Sequence, residues 1–483
     1  MPVGNHNYSL LTDLYQLTMA QGYWECNKLE EEACFHAFFR TNPFHGGYAI
    51  ACGTDHVLEV IEDYRFTSDD IAYLASLEAP GGGALFDPAF LDYLSTMELS
   101  VDIDAVREGT VVFPNDPLLR VTGPILQCQL LETALLNCVN FETLIATKAA
   151  RVCLAADSPV AEFGLRRAQG EDGGLRASRA AVVGGCASTS NVLAGKLFNI
   201  PVSGTHAHSW VMSFDNELEA FREYARVMPK NCVLLVDTYD ITQGIKNAIT
   251  VGLERGETLS AIRIDSGDLS WRAKQARKML DEAGLTETGI VLSNDLDEYT
   301  IKSIKDSGAQ VNSWGVGTKL TTAYDQPALG GVYKLAAKRE TADSEWQDCI
   351  KVSGQAAKLT TPGVLDVRRY FHEDGRLAGD MVFDINHGVK RERIVDPADE
   401  IRQKSLAGLA YTTLLEPIVR SGKRVVDPSF GNAMEARERC REQLDLLDES
   451  QKRILNPHSY PVGLEYGLFH RRHKLVSDML GNS

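Results

Sequence analysis

Two histidines one residue apart, His206 and His208, close a β-branched run that ends at Ser203-Gly204, and they are the sharpest chemical signal in the chain. Residues i and i+2 of an extended strand share a side, so two imidazoles there could chelate one metal ion. A metal-dependent barrel hydrolase would need more histidines at later strand ends, yet none occurs between Ser209 and Phe371. Two readings stay open: histidines hydrogen-bonded in a polar rim, or a nucleophile that takes a phosphoryl group from ATP as a phosphoramidate. The second requires phosphate cradles. Gly315-x-Gly317-Thr318, with Gly330-Gly331 further on, suits the phosphate-binding position late in α/β barrels, although a GxG is also an ordinary tight turn. No GxxxxGK[ST] loop is present, which excludes a P-loop nucleotide site.

Asp265-Ser-Gly-Asp268, after Arg263, sets two carboxylates around a turn. Such residues cap helices. A carboxylate there could equally hold ribose hydroxyls, a magnesium ion or positive charge developing at a sugar carbon. Position favours function for Asp265, while Asp237 and Asp240 carry the same ambiguity and stay open.

Chemistry of this kind needs strands to hold it. From about Val160 to Leu335, short β-branched runs alternate with longer amphipathic runs, the pattern of a parallel α/β unit. The strand candidates are Val160–Gly164, Ile200–Gly204, Val233–Val236, Ala261–Ile264, Ile290–Leu292 and Val311–Trp314, with Val182–Gly185 as a seventh. Asp237 and Asp265 lie 28 residues apart and Asp265 and Asn294 lie 29 apart, one βαβ unit each. The simplest solution is an irregular, TIM-like α/β barrel, whose function gathers at the C-terminal strand ends where these polar clusters fall; an open doubly wound sheet is the alternative.

The flanks set the expected domains: residues 1–150 with a contribution from about 340–420, a barrel over 151–338, and a helical region over 421–483. The first contains a long apolar helix from about Cys128 to Ala149. Leu365–Phe371 and Leu377–Phe383 around Glu373-Asp-Gly375 read as a hairpin. Glu435–Leu455 reads as a charge-laced helix with a solvated face.

Composition limits partners. With 66 Asp and Glu against 49 Lys and Arg, the net charge of −17 repels polyanions, so nucleic acid is excluded as a partner and an anionic substrate would need local cations. Ten scattered cysteines without a CxxC pair read as reduced thiols, an interrupted apolar start argues against a secretory leader, and no apolar run approaches a membrane span. The expectation is a cytoplasmic protein away from membranes.

Leu11-Thr-Asp-Leu-Tyr-Gln-Leu-Thr-Met19, Glu162-Phe-Gly-Leu-Arg-Arg-Ala-Gln-Gly170, Gly204-Thr-His-Ala-His-Ser209, Ile264-Asp-Ser-Gly-Asp268 and Trp314-Gly-Val-Gly-Thr318 together resemble the nicotinate phosphoribosyltransferases, in order, from about Tyr8 to beyond Lys334. The resemblance implies a barrel domain packed with an α/β sandwich domain built from the N-terminal region and later chain. It implies an ATP-dependent enzyme of the ligase class that joins nicotinate to phosphoribosyl diphosphate in NAD biosynthesis. It further implies Mg²⁺ and a head-to-tail homodimer with shared active sites. Tyr15, from the other subunit, and Phe163 would sandwich the pyridine ring, and Arg166 would meet its carboxylate. Arg40 and Lys334 would hold the ribose 5-phosphate. Arg263, Asp265, Gly315, Gly317 and Thr318 would line the ribose and diphosphate. His208 would be the phosphorylated histidine, and His206 has no role by this resemblance. Gly170-Glu-Asp-Gly-Gly174 reads as a mobile cover or a solvent loop. A nicotinamide or quinolinate phosphoribosyltransferase of the same architecture, and a non-catalytic nucleotide-binding barrel, are the competing readings.

Overall fold

The runs Val233–Leu235, Ala261–Ile264, Gly289–Leu292 and Ser313–Val316 are almost wholly buried, as expected of parallel strands covered on both faces. A computed structural model describes residues 8–256, 259–351 and 359–481. Two compact units emerge. One consists of Ile145–Pro327 with Ala433–Glu438; the other takes the chain up to Leu144, Ala328–Asn432 and Arg439 onward.

In the first unit six strands form one parallel sheet: β1 (Val160–Glu162), β2 (Ser188–Thr189), β3 (Val233–Leu235), β4 (Ala261–Ile264), β5 (Gly289–Leu292) and β6 (Ser313–Val316). Their order is β2-β1-β6-β5-β4-β3, and Val202 adds a parallel bridge to Thr189 at the β2 edge. Followed around the ring, neighbours therefore succeed one another in chain order, with β6 beside β1, which is the winding of an α/β barrel.

Helices Val192–Phe198, Glu217–Val227, Ile241–Arg255, Leu269–Glu282 and Glu298–Asp306 cover this sheet. Each is capped in the same manner. Asn191, Asn216, Asp240, Asp268 and Asp297 each accept the backbone N–H three residues on, a contact that contributes about 1 kcal/mol apiece. Asp240 and Asp268 are thereby accounted for as helix caps.

Several expectations are corrected here. Val182–Gly185 is no strand, because Val182 and Val183 finish the buried face of helix Gly170–Val183, and the strand is Ser188–Thr189. Gly170–Gly174 is no loop but the first turn of that helix, whose tertiary packing overrides the glycines' poor propensity. Ile200–Gly204 pairs only at Val202; its Pro201 has no N–H for a ladder. The last strand lies two residues later than expected, so Gly315 is part of it.

The second unit holds two larger sheets. An antiparallel sheet orders Gln347–Asp348, Val332–Arg339, Glu32–Phe38, Leu119–Pro124, Asp102–Val106, Leu415–Arg420 and Lys423–Arg424. A mixed sheet orders Asp399–Ser405, Arg393–Asp396, Val462–Glu465, Leu377–Asp384, Leu365–Phe371 and Ala410–Thr413, and contains the expected hairpin. Residues 421–483 are thus not simply helical: Val462–Glu465 sits within a sheet, while the expected charged helix runs Ala433–Asp445 and resumes at Glu449–Lys452. Val332–Arg339 pairs with Glu32–Phe38, and Gly330-Gly331 leads into that strand and is no part of the parallel sheet. Among the described residues no helix is long and apolar enough to cross a membrane.

A buried charge cluster braces the barrel near β5. Lys148 and Arg151, on helix Glu132–Ala156, pair with Glu298 at 2.7 and 2.8 Å, and Lys148 also reaches Asp325 at 2.6 Å. Glu298 is fully buried. Its replacement by Ala leaves two buried cations short of their counter-charge, a defect that costs about 3–5 kcal/mol. Urea unfolding of Glu298→Ala should show that loss, and an unchanged midpoint would contradict it.

Candidate active site

The C-terminal strand ends of the barrel hold nearly all the polar residues singled out above. Thr205, His206 and His208 follow the segment that bridges to β2 at Val202; the first is held from β4 and the two histidines from β3 and the turn just past it. Arg263, on β4, donates from Nη1 to Thr205 Oγ1 at 3.2 Å. Leu235 N, on β3, donates to His206 Nε2 at 3.1 Å. His208 Nδ1 lies 3.1 Å from Thr238 Oγ1, just past β3, and its Nε2 lies 3.9 Å from Asp237 Oδ1. The two histidines therefore do not form a chelating pair. His206 is buried, which pushes its pKa down, with Arg263 and His208 adding to the effect, whereas His208 is exposed to solvent.

Asp237 is fully buried at the side chain and faces two ways. Its Oδ2 accepts from Asp265 N at 2.9 Å and Ser266 Oγ at 2.6 Å, fixing the turn after β4. Among the described residues its Oδ1 has no hydrogen-bond partner, and it lies 3.9 Å from His208 Nε2. Asp265 in turn accepts from Ser293 Oγ and pairs with Arg263 at 3.3 Å, while Arg263 Nε donates to the same Ser293 at 2.8 Å. Arg263, Asp265 and Ser293 are a closed triangle spanning β4 and β5, so the carboxylate keeps its place and its charge is partly offset.

Phe163 and Arg166 follow β1. Glu162, wholly buried, accepts from Gly164 N, from Ser178 Oγ at 3.0 Å and from Thr189 Oγ1 at 2.6 Å, so one carboxylate folds the turn that presents both. The Phe163 ring packs against Gly315: a Cβ at that position would stand 2.6 Å from Phe163 Cδ2. On Gly317 a Cβ would stand 3.1 Å from Phe163 O. The glycines of Gly315-Val-Gly317 thus make room for the ring and its backbone, and Thr318 opens the short helix Thr318–Thr321 beside them. The Arg263 guanidinium lies 5.5 Å from the Phe163 centroid. Arg166, exposed on the single turn Leu165–Arg167, has no protein partner among the described residues and is free to receive an anion.

Tyr15, Arg40 and Lys334 belong to the other unit. Tyr15 is exposed on helix Leu14–Glu25, and its OH accepts from Gln16 Nε2 at 3.0 Å. Glu132 also accepts from Gln16 Nε2 and lies 3.9 Å from Lys334 Nζ, linking the Tyr15 helix to the Lys334 strand. Arg40 and Lys334 line one cavity of about 340 Å³, together with Phe38, Phe113 and Arg472. Arg472 is buried and, among the described residues, bonded to the carbonyls of Leu359, Thr360 and Pro397, and burial lowers its pKa to about 10. Three cations make this cavity suited to anions.

Asp237, Thr238, Glu162, Thr205 and Ser293 are the site groups that sequence reasoning missed or left open. Their signal was position alone, each at or next to a strand end. One further cluster, Cys52, Glu108 and Glu142, has ligand atoms within 4.8 Å of one another, but it is a buried crosslink in the other unit, with Glu108 accepting from Gly53 N and Glu142 bonded to His56.

Comparison with known proteins shows the family to which the chain is similar. Models described as the nicotinate phosphoribosyltransferase (NAPRTase) N-terminal domain, the NAPRTase family and the C-terminal domain match residues 10–140, 159–359 and 366–472. A nicotinate phosphoribosyltransferase of Bacillus subtilis (strain 168) is 43% identical over 464 residues, covering 94% of this chain and 92% of its own. That of Homo sapiens is 34% identical, covering 94% of each chain. The crystal structure of human nicotinic acid phosphoribosyltransferase superposes with a TM-score of 0.82 at 32% identity, over 96% of this chain and all of that one.

Because the Phe163 ring occupies the space a methyl group would need, Gly315→Ala should cost about 1–3 kcal/mol. Most of that cost should vanish in a Phe163→Ala background. Additive costs in the urea-unfolding cycle would mean that the ring does not rest on Gly315.

Proposed function

The chain belongs to the nicotinate phosphoribosyltransferase family, and from that premise we propose how its residues transfer phosphoribosyl to nicotinate in NAD salvage, with ATP driving the step through a phosphohistidine at His208. The observation that carries this reading is the setting of His208. It is exposed at the strand ends, with Thr238 at one nitrogen and the partnerless oxygen of Asp237 facing the other.

A carboxylate only accepts, so Asp237 favours the tautomer with the proton on Nε2 and leaves the Nδ1 lone pair as nucleophile. That nitrogen would attack the γ-phosphorus of ATP, forming the N–P bond as ADP leaves, and the Thr238 hydroxyl holds it until then. Hydrolysis of the phosphohistidine would couple to product formation and release.

Transfer itself separates charge: cleavage at ribose C1 builds positive charge on the sugar and negative charge on the departing diphosphate. Asp265, fixed by Arg263 and Ser293, is assigned to the first. Arg263 is assigned to the second, with Gly317 and Thr318 lining the ribose and diphosphate. Asp265 and Asp237 would hold Mg²⁺, and the free Oδ1 of Asp237 suits a hard cation; when bound, the ion neutralises diphosphate charge.

The pyridine ring would stack on Phe163, with its carboxylate on Arg166 and its nitrogen directed at C1, so that orientation supplies much of the rate. We assign the opposite face to Tyr15 of the partner subunit in a homodimer, and the ribose 5-phosphate to Arg40 and Lys334, a role supported by their shared basic cavity. A cytoplasmic location completes the reading and is supported by ten free cysteines.

Two substitutions test the assignments. Arg166→Ala should weaken nicotinate binding by about 1.5–3 kcal/mol, one to two decades, with phosphoribosyl diphosphate binding nearly unchanged; unaltered nicotinate affinity would remove Arg166 from the pocket. His208→Asn should abolish acid-labile labelling from ATP and the ATP stimulation of product formation, yet leave slow ATP-independent transfer. A variant still stimulated by ATP would refute the phosphohistidine.

A further inference from the structure

The ring of strands in the barrel has one seam. On one side runs the segment that follows Val202; on the other lies β3. Pro201 to Ser203 bond to β2 through Thr189 N to Pro201 O at 3.0 Å and Ser203 N to Thr189 O at 2.9 Å. Between this segment and β3, no backbone-to-backbone hydrogen bond occurs among the described residues. Side chains cross the gap instead: Leu235 N donates to His206 Nε2 at 3.1 Å, Asn231 Nδ2 donates to Gly204 O at 3.2 Å, and just past β3 Thr238 Oγ1 meets His208 Nδ1 at 3.1 Å.

We propose that His206 is a positioning residue for the phosphorylation of His208: its imidazole replaces the missing strand pairing at the seam and so sets the register in which His208 meets Asp237 and Thr238. The inference rests on the reading of His208 as the phosphate acceptor. The spacing is matched on both sides, since His208 lies two residues beyond His206, and Asp237 lies two residues beyond Leu235. His208 opens the helix His208–Met212 and Asp237 lies just past β3, so the bond between residues 206 and 235 anchors the two segments two residues before the point where the second imidazole and the carboxylate face each other.

The chemistry of the ring fits the task. Nε2 must be an unprotonated acceptor to receive the Leu235 N–H, which puts the proton of the neutral ring on Nδ1, 3.3 Å from Ala207 O. The ring is 7% exposed and packs edge-on against Tyr224, with centroids 4.6 Å apart, on helix Glu217–Val227. Burial favours the neutral form that the seam needs. With one nitrogen engaged by Leu235, the other protonated and the ring enclosed, His206 cannot itself take the phosphoryl group. The two histidines of the motif divide the work, one closing the wall and one carrying the phosphate.

The test compares His206→Leu, which removes the acceptor, with His206→Gln, whose Oε1 can accept the same N–H. For each, acid-labile phosphate on His208 and the ratio of ATP-dependent to ATP-independent nicotinate mononucleotide formation are measured. The Leu variant should lose labelling by about tenfold to a hundredfold, the scale of a catalytic group misplaced by about 1 Å, while ATP-independent transfer stays within a few fold. The Gln variant should recover most of the labelling. A Leu variant labelled as well as the parent, or one in which both kinds of transfer fall together, overturns the positioning role alone; absence of labelling in the parent enzyme overturns the phosphohistidine reading and this inference with it. Should His206→Leu fail to fold, ¹⁵N NMR of histidine-labelled parent enzyme decides: the Nδ1–H tautomer with hydrogen-bonded Nε2 is expected at neutral pH, and the Nε2–H tautomer refutes it.

Discussion

Six strands running the same way leave all their carboxyl ends on one rim, and the contacts among His208, Asp237, Arg263, Asp265 and Ser293 follow from that alignment. The carboxylates buried at this level, Glu162 and Asp237, meet the cost of desolvation with hydrogen bonds from the adjoining turns and strands. Bonds from Thr189 to Glu162, from Arg263 to Thr205 and to Ser293, and from Asp265 N to Asp237 tie the strand ends together at this level. Each bond joins residues far apart in sequence, which is why the rim is rigid although most of its backbone is turn. The glycines at 315 and 317 belong to the same logic, because they leave the volume that the Phe163 ring and its backbone occupy.

Electrostatics turns this rim from scaffold to chemistry. The chain carries a net charge of −17, so an anionic substrate is repelled at long range and must be drawn in by local cations. Arg263 is paired with Asp265, whereas Arg166 has no protein partner among the described residues. In the other unit, Arg40, Lys334 and the carbonyl-bound Arg472 give one cavity a positive lining on an acidic protein.

What the sequence disclosed of this arrangement depended on how local each signal was. The strand-end polar clusters, the hairpin around Asp374-Gly375 and the paired roles open to the Asp265–Asp268 turn were legible because each is written within a few residues. Asp268 and Asp240 took the capping role, while Asp265 joined Arg263 and Ser293. Ser188–Thr189 was missed because a two-residue strand has no period, and the valines before it served a helix. Asp237 stayed ambiguous because its partners, the turn after β4 and His208, are set by the winding of the barrel. Val462–Glu465 was hidden for a different reason: its pairing with Leu377–Asp384 and Arg393–Asp396 is entirely nonlocal.

The order of segments along the chain has a consequence for biosynthesis. The barrel unit is nearly continuous from Ile145 to Pro327, whereas the unit that begins before it must recruit Ala328–Asn432 and the segment from Arg439 onward. Glu32 and Arg339, ion-paired in neighbouring strands, are separated by 307 residues. On the ribosome, strand Glu32–Phe38 therefore emerges with an unpaired edge and waits for the whole barrel to be translated before Val332–Arg339 arrives to cover it. The nascent chain is thus most exposed to aggregation early, at the amino-terminal sheet, and the barrel has the opportunity to fold first.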